Sequence, residues 1–271
     1  MISIRQLVYK YKDGARPAIN GVDLDIADGA TLAVLGANGS GKSTLARLIG
    51  GLLPPTEGSV LVDGVDTMHR PAGWAMHRHV GMVFQNPLNQ IVSTAVENEV
   101  AFGLENLRMG SFAMQQRVDQ CLDLVGLTHL RAANPHDLSA GEQQRLGIAS
   151  ALAASPSHLI LDEATALLDD QTRTELMARV HTLAQRLKLA VLIITHRMDE
   201  VPDADRVLVL SRGSVVFDDT PTSLFRQADK LSAWNLSLPP LQALTVSLRD
   251  AGFDVPISIG SPAELAGALW P

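Results

Sequence analysis

Gly36-Ala37-Asn38-Gly39-Ser40-Gly41-Lys42-Ser43-Thr44 is the stretch whose reading decides the fold. It fits G-x-x-x-x-G-K-[ST], with Gly36, Gly41, Lys42 and Ser43 in register. The preceding Thr31-Leu32-Ala33-Val34-Leu35 is an apolar run of strand length, and Thr44–Ile49 resumes at helical spacing. A strand that feeds a glycine-rich turn opening a helix aims successive backbone N–H groups inward. The helix N-terminus adds partial positive charge, so a polyphosphate is the natural guest. Gly36, Gly39 and Gly41 permit the backbone angles and close approach such a cradle needs, and Ala37, Asn38, Ser40 and Thr44 complete it. Lys42 can reach the outer phosphates, and the Ser43 hydroxyl can hold Mg²⁺. An ordinary Gly/Ser turn would account for the glycines but not for the whole motif in this setting.

Outward from the loop, Ile2–Val8 and Gly21–Ile26 alternate apolar and polar residues, as strands of an antiparallel sheet do. Ser59–Val62 followed by Asp63-Gly64 reads as a strand and turn, and Val80–Phe84 as a strand closing on Gln85-Asn86-Pro87. From Pro87 to about Ala154 the pattern is helical, with Val96, Val100 and Leu104 at one-turn spacing. Strand signals return at Leu159–Leu161, Val191–Ile194 and Val207–Leu210. Between the first two, Gln171–Lys188 carries Leu176, Val180, Leu183 and Leu187 on one helical face. The alternation implies an α/β fold with a mostly parallel core sheet, an antiparallel β subdomain, and a helical subdomain inserted at about 87–154. Beyond Thr220-Pro221, short amphipathic pieces are punctuated by Leu236–Pro240, Gly252–Pro256 and Gly260–Pro262. The expected division is a domain over 1–220 and a small C-terminal appendage over 221–271.

At 271 residues and 46% hydrophobic content the chain has material for a core or two. Its net charge of −7 argues against a dedicated nucleic-acid binder. The single cysteine, Cys121, sits at helical apolar spacing with Val118, Leu122 and Val125, which predicts a buried thiol. The opening Met1–Arg5 lacks a signal-peptide layout, and no run of 18 apolar residues is present. If the protein serves a membrane, another chain must cross it. His69, His77 and His79 lack a metal-ligand spacing and read as surface residues.

Two later stretches add chemistry. Leu159-Ile160-Leu161-Asp162-Glu163 is an apolar strand ending in two carboxylates. Asp162 at the strand end can support the Mg²⁺ shell near Ser43. Glu163 is placed to polarise an attacking water as a general base. Leu138-Ser139-Ala140-Gly141-Glu142 opens an apolar helix. Ser139-x-x-Glu142 is a capping box, and a capped, glycine-bearing helix N-terminus is also a phosphate site.

Gly36–Thr44, Gln85, Leu138–Glu142, Leu161–Thr165, Leu167-Leu168-Asp169 and His196 occur in this order. The set resembles the Walker A, Q-loop, signature, Walker B, D-loop and switch histidine of an ATP-binding cassette (ABC) transporter ATPase, over about residues 1–220. The resemblance implies a P-loop cassette that binds ATP and Mg²⁺. It implies adenine stacked on Tyr11, and Gln85 at the metal or the water, reporting nucleotide state to the helical subdomain. Ser43, Gln85 and Asp162 form the metal set, with Glu163 as base and His196 hydrogen-bonding the γ-phosphate. It further implies that Ser139, Gly141 and Glu142 face the phosphate held by a second ATPase subunit, identical or paralogous. The signature departs from the usual L-S-G-G-Q at Ala140 and at Glu142, where a charge stands in place of glutamine.

Gln85-Asn86-Pro87-Leu88-Asn89-Gln90-Ile91-Val92 and the following Val96–Asn106 are similar to the ATPases of energy-coupling factor (ECF) importers of vitamins and of cobalt or nickel. The tail is loosely similar to their C-terminal pairing domain. The resemblance implies a transmembrane coupling subunit, a substrate-binding membrane subunit, and a peripheral place at the cytoplasmic face of the membrane. The rivals are another ABC transporter class, a non-transport ABC ATPase, and a P-loop GTPase or kinase. The last lacks both an Asn-Lys-x-Asp motif and any explanation for Leu138–Glu142.

Overall fold

The computed structural model describes residues 1–68, 73–105, 107, 109–256, 259 and 261–270, with only the backbone at 73–75, 228 and 229. His69, Asn106 and Gly260, read above, lie outside the described residues. In chain order, β1 (Ile2–Tyr9), β2 (Ile19–Ile26) and β3 (Thr31–Leu35) precede α1 (Lys42–Ile49). Then come β4 (Glu57–Val62), β5 (Val65–Asp66) and β6 (Val80–Phe84). The helices α2 (Val96–Glu105), α3 (Ser111–Val125) and α4 (Ala140–Ala153) follow. Next are β7 (His158–Asp162), α5 (Asp170–Leu187), β8 (Ala190–Ile194), β9 (Arg206–Ser211) and β10 (Ser214–Asp219). The chain closes with α6 (Pro221–Phe225), α7 (Ala228–Leu231), α8 (Pro240–Asp250) and α9 (Pro262–Leu269).

The strands form two sheets. One is antiparallel, in the order β2-β1-β4-β5. The other runs β10-β9-β3-β8-β7-β6, parallel except for the β9–β10 hairpin. Every residue of β3, β7 and β8 is buried, as expected where both faces of a parallel sheet are covered. One face packs the antiparallel sheet and α1, through Ile4, Leu24, Leu45, Leu48, Ile160 and Leu192. The other packs the helical segment and α5, through Val100, Leu122, Leu146, Leu159, Leu176 and Val191. Cys121 lies in that second cluster as a free, fully buried thiol, and burial pushes its pKa up. Leu187, assigned above to the apolar face of its helix, is 38% exposed, because the helix ends there at a left-handed Lys188.

The residues after Asp219 fall into two parts. Leu224, Phe225, Leu231 and Leu236 extend a cluster that includes Leu35, Val209 and Phe217 of the core sheet. Val255, Ile259 and Leu265 form a separate small core with Leu241, Leu248 and Leu269.

Two side-chain clamps tie the sheets down. At the outer edge of β6, the Gln90 amide accepts from Phe84 N at 2.9 Å and donates to Met82 O at 3.0 Å, taking the place of a neighbouring strand. At the opposite ends of β6 and β7, Asp63 from the β4–β5 turn accepts from Ser157 Oγ at 2.5 Å and meets His79 Nδ1 and His158 Nε2, each at 3.0 Å. Burial works against this carboxylate, but the Met1 amine, which donates to it at 2.7 Å, and then these hydrogen bonds hold it far below the usual range. His79 is thus half-buried and bound to Asp63 rather than a free surface residue, a correction its spacing to other histidines could not supply.

Candidate functional site

The C-terminal ends of β3, β7 and β8 open on one side of the core sheet, and the expected phosphate loop lies there. Gly36, Gly39 and Gly41 all take positive φ, from +76° to +150°. Gly36 and Gly41 must both be glycine: a Cβ at Gly36 would run into the Leu210 carbonyl, and one at Gly41, which precedes α1 at φ +111°, into the Ala18 carbonyl. Asn38 and Gly39 stand exposed at the tip, Ala37 is half-buried, and Ser40 turns inward. Ser40 Oγ is buried with no hydrogen-bond partner among the described residues. Lys42 is 4% exposed, and its Nζ donates to Gly36 O at 2.8 Å and Ala37 O at 3.2 Å. Burial pulls its pKa down, against the pull of Glu163 and Asp162. A buried ammonium with a lowered pKa is a charge seeking anionic oxygens.

Register brings the other groups to the loop. Asp162 closes β7, paired with Phe84 on β6 and Ile194 on β8. Its Oδ1 accepts from Ser43 Oγ at 2.8 Å. Burial raises its pKa, with Glu163 adding to the shift while the Ser43 hydroxyl, Arg47 and Lys42 oppose it. A hydroxyl and a disfavoured carboxylate at contact distance are hard oxygen donors of the kind that suit Mg²⁺.

Glu163 leaves the sheet in the left-handed region, at φ +53°, pinned by Glu163 N donating to Ile194 O at 2.9 Å. Such backbone costs on the order of 1–3 kcal/mol in a non-glycine residue and persists where its surroundings impose it. The turn carries the carboxylate to 3.9 Å from Lys42 Nζ and 3.7 Å from His196 Nδ1. His196 follows β8 and is half-exposed.

Tyr11 stands across the loop. Its hydroxyl lies 3.2 Å from Thr44 Oγ1, and its ring meets Tyr9 edge-on at 4.8 Å, leaving the side chain partly open to solvent. Gln85 follows β6 and is exposed, and its carbonyl accepts from Gln144 Nε2 of α4 at 3.1 Å. The structure therefore brings Tyr11, residues 36–44, Gln85, Asp162, Glu163 and His196 to one end of the sheet. Ser139, Gly141 and Glu142 instead open α4, where Ser139 and Glu142 bond to each other and Gly141 lies against Thr172 of α5.

Gln90, read above as part of the segment Gln85–Val92, proves to clamp that segment to β6. Glu99 of α2 escaped the sequence reading: 5% exposed, it accepts from Val92 N and Ser93 N at 2.9 Å each. Its one-turn spacing to nothing acidic or basic gave no signal. Beside this clamped segment lies a mainly apolar groove of about 340 Å³, lined by Leu52, Met82, Asn89, Ile91, Phe102 and Leu107 among others.

The model of the ABC transporter family matches residues 19–166. The energy-coupling factor transporter ATP-binding protein EcfA1 of Symbiobacterium thermophilum is 48% identical over 260 residues, which are 95% of this chain and 91% of that protein. EcfA1 of Clostridium perfringens is 40% identical over 99% of this chain and 97% of its own. Among solved structures, cbiO1 of Clostridium perfringens, part of the ABC transporter complex cbiONQ, superposes with a TM-score of 0.77 at 34% identity, covering 90% of this chain and 98% of that one. A dimeric ATP-binding cassette in a post-hydrolysis state with ADP and Pi gives 0.74 at 29% identity, covering 82% and 99%.

Proposed function

The chain belongs to the ABC transporter family, in the group of energy-coupling factor transporter ATP-binding proteins, and from that premise we propose that it is the ATP-hydrolysing subunit of an ECF-type importer. It couples ATP binding and hydrolysis at a dimer interface to uptake of a micronutrient, a vitamin or a transition-metal ion, through separate membrane subunits. The observation that carries this reading is the meeting of Lys42, Ser43, Asp162, Glu163 and His196 around one glycine-rich loop.

Each residue then has a role. The amides of 36–44 and Lys42 Nζ take the phosphates, Lys42 exchanging the Gly36 and Ala37 carbonyls for phosphate oxygens. Tyr11 offers its open ring to adenine. Ser43 and Asp162, with Gln85 beside them, would hold Mg²⁺, which supplies neutralisation of the β- and γ-phosphate charge. Glu163 accepts the proton of the attacking water, and His196 hydrogen-bonds the γ-phosphate. Ser139, Gly141 and Glu142 address the nucleotide of a second ATPase subunit, self or paralogue. Glu163→Gln tests the assignment: turnover should fall ~10²–10⁴-fold with ATP binding retained, and near-normal hydrolysis would overturn it.

The coupling surface in this reading is the groove beside Asn86–Val92, where a segment of a transmembrane subunit docks against Phe102, Ile91 and Leu52. No described helix is long and apolar enough to cross a membrane, which fits a peripheral subunit at the cytoplasmic face. Residues 1–220 act as the ATP-binding domain, with 87–154 as its helical subdomain, and 221–271 assist pairing. Asn89→Ala should leave basal hydrolysis nearly intact and abolish uptake by the assembled complex. Full uptake with Asn89 replaced would remove the coupling role. Gln90, sewn to β6, is the wrong residue for that test, because its loss frees backbone groups of the core sheet.

A further inference from the structure

Four residues behind His196, a short turn over Met198–Glu200 places Glu200 inside the protein, 7% exposed. Its carboxylate accepts from the Thr165 hydroxyl, and its Oε1 lies 3.9 Å from Arg173 Nε. Thr165 is itself buried, in the turn that starts at Glu163. That turn is held by Ala166 N donating to Glu163 O and Leu168 N to Thr165 O. Arg173, 7% exposed, stands on the first turn of α5 and donates to Asp170 at 2.8 Å and Asp199 at 3.1 Å. Arg197, next to His196, binds Asp199 at 3.0 Å and lies 3.7 Å from Asp170. One buried carboxylate thus touches the turn behind Glu163 and the helix beyond it, while its own backbone belongs to the loop that carries His196.

A buried ion pair is weak evidence for a stability role, since apolar side chains of similar volume often replace one without loss, whereas directional bonds fix the geometry of what they join. Glu200 and Thr165 are both buried, so neither presents its side chain to a bound nucleotide. We propose that Glu200, braced by Arg173 and bonded to Thr165, is a positioning residue for hydrolysis: it locks the Glu163 turn to the His196 loop and so sets the 3.7 Å separation of His196 Nδ1 and Glu163 Oε1. This rests on the assignment of Glu163 and His196 given above.

The test is steady-state hydrolysis, nucleotide affinity and thermal unfolding of the full chain in the complex in which it is purified. The double variant Arg173→Met/Glu200→Met fills the volume without the charges. It should melt within a few degrees of the parent and bind ATP normally. Its kcat should fall about 10–100-fold at unchanged KM, the size expected when catalytic groups shift by a fraction of an ångström to an ångström. Thr165→Val removes only the bond on the Glu163 side and should lower kcat in the same way, while Thr165→Ser and Glu200→Gln, which keep it, should restore most of the rate. Parental kcat in Thr165→Val, or in a folded double variant, would overturn the positioning role. Glu163→Gln in the same assay separates the two failures. If that variant hydrolyses normally, the catalytic assignment falls and takes the proposal with it. If it is dead while Thr165→Val is fully active, only the positioning role falls.

Discussion

Two helices of this chain start beside glycine and serine, each proposed above to face a phosphate, and they are finished in opposite ways. Helix α1 starts behind Gly41 with no side-chain cap and no acidic residue in its first turn. Helix α4 starts behind Ser139, whose backbone N–H and hydroxyl both donate to the Glu142 carboxylate, at 2.8 and 2.7 Å, in a complete capping box. An uncapped start forgoes about 1 kcal/mol of helix stability, but its amides remain free to take an anion. The capped start is the more stable, and it already holds an anion of its own. The loop at α1 can therefore receive phosphate directly, whereas under the role proposed for it the start of α4 would have to share or exchange a ligand to reach a second subunit's nucleotide.

Breaking the open end should have the largest effect. Lys42→Ala removes the one side-chain cation buried among the loop carbonyls. With charge-assisted hydrogen bonds worth about 1.5–3 kcal/mol each, nucleotide titration should show ATP affinity down by about 10–100-fold or more. Unchanged affinity would mean that this helix end is not the phosphate site. Gly41→Ala should come next: its positive φ and the Ala18 carbonyl leave no room for a methyl group, so both ATP affinity and melting temperature should drop.

The closed end offers a finer test. Glu142→Gln keeps the capping box, since glutamine serves equally at that position, but removes the charge. The melting temperature should fall slightly, by the small share the charge adds to the cap, while ATP-driven dimerisation strengthens by about threefold or more, as expected when a like charge is taken from near a phosphate. Equal dimerisation would show that the carboxylate moves aside freely. The sign of its pKa shift sharpens this. The Ser139 hydroxyl, then the Ser139 N–H, hold Glu142 below its ordinary 4.5. A depressed carboxylate pKa gives stability that is complete above the unfolded value and lost as pH falls through the folded one. The difference between parent and Glu142→Gln should therefore stay constant between about pH 6 and 8. Ser139→Ala should cost about 1 kcal/mol in thermal or denaturant unfolding and leave the affinity of the α1 loop for ATP untouched.

What sequence alone conveyed follows from the range of the interactions. The α1 loop is local: nine adjacent residues carry both its glycines and its cation. The parallel strands are legible as apolar runs because β3, β7 and β8 are buried on both faces. The capping box is legible for the same reason, its partners lying three residues apart. Strand β10 went unread: Ser214–Asp219 ends in two acids, and only its hairpin with β9 across Arg212-Gly213 makes it a strand. The clamps are long-range. Glu200 finds Thr165 across 35 residues, Arg173 finds Asp199 across 26, and His158 finds Asp63 across 95. No spacing rule reaches such pairs, because the fold itself creates the adjacency. The pairing role proposed for the tail is similarly non-local. Since Leu224 to Leu236 pack on the core sheet, a truncation meant to test that role should cut just before Pro240 rather than at Asp219.

Strand β6 ends the larger sheet, and an unpaired strand rim is a template on which a foreign chain can grow. The Gln90 amide meets that rim with one acceptor and one donor, at Phe84 and Met82, and so shields it against intermolecular strand addition. A single carboxamide thereby acts as a solubility safeguard. Gln90→Ala should show itself first as concentration-dependent aggregation, well before any loss of nucleotide chemistry.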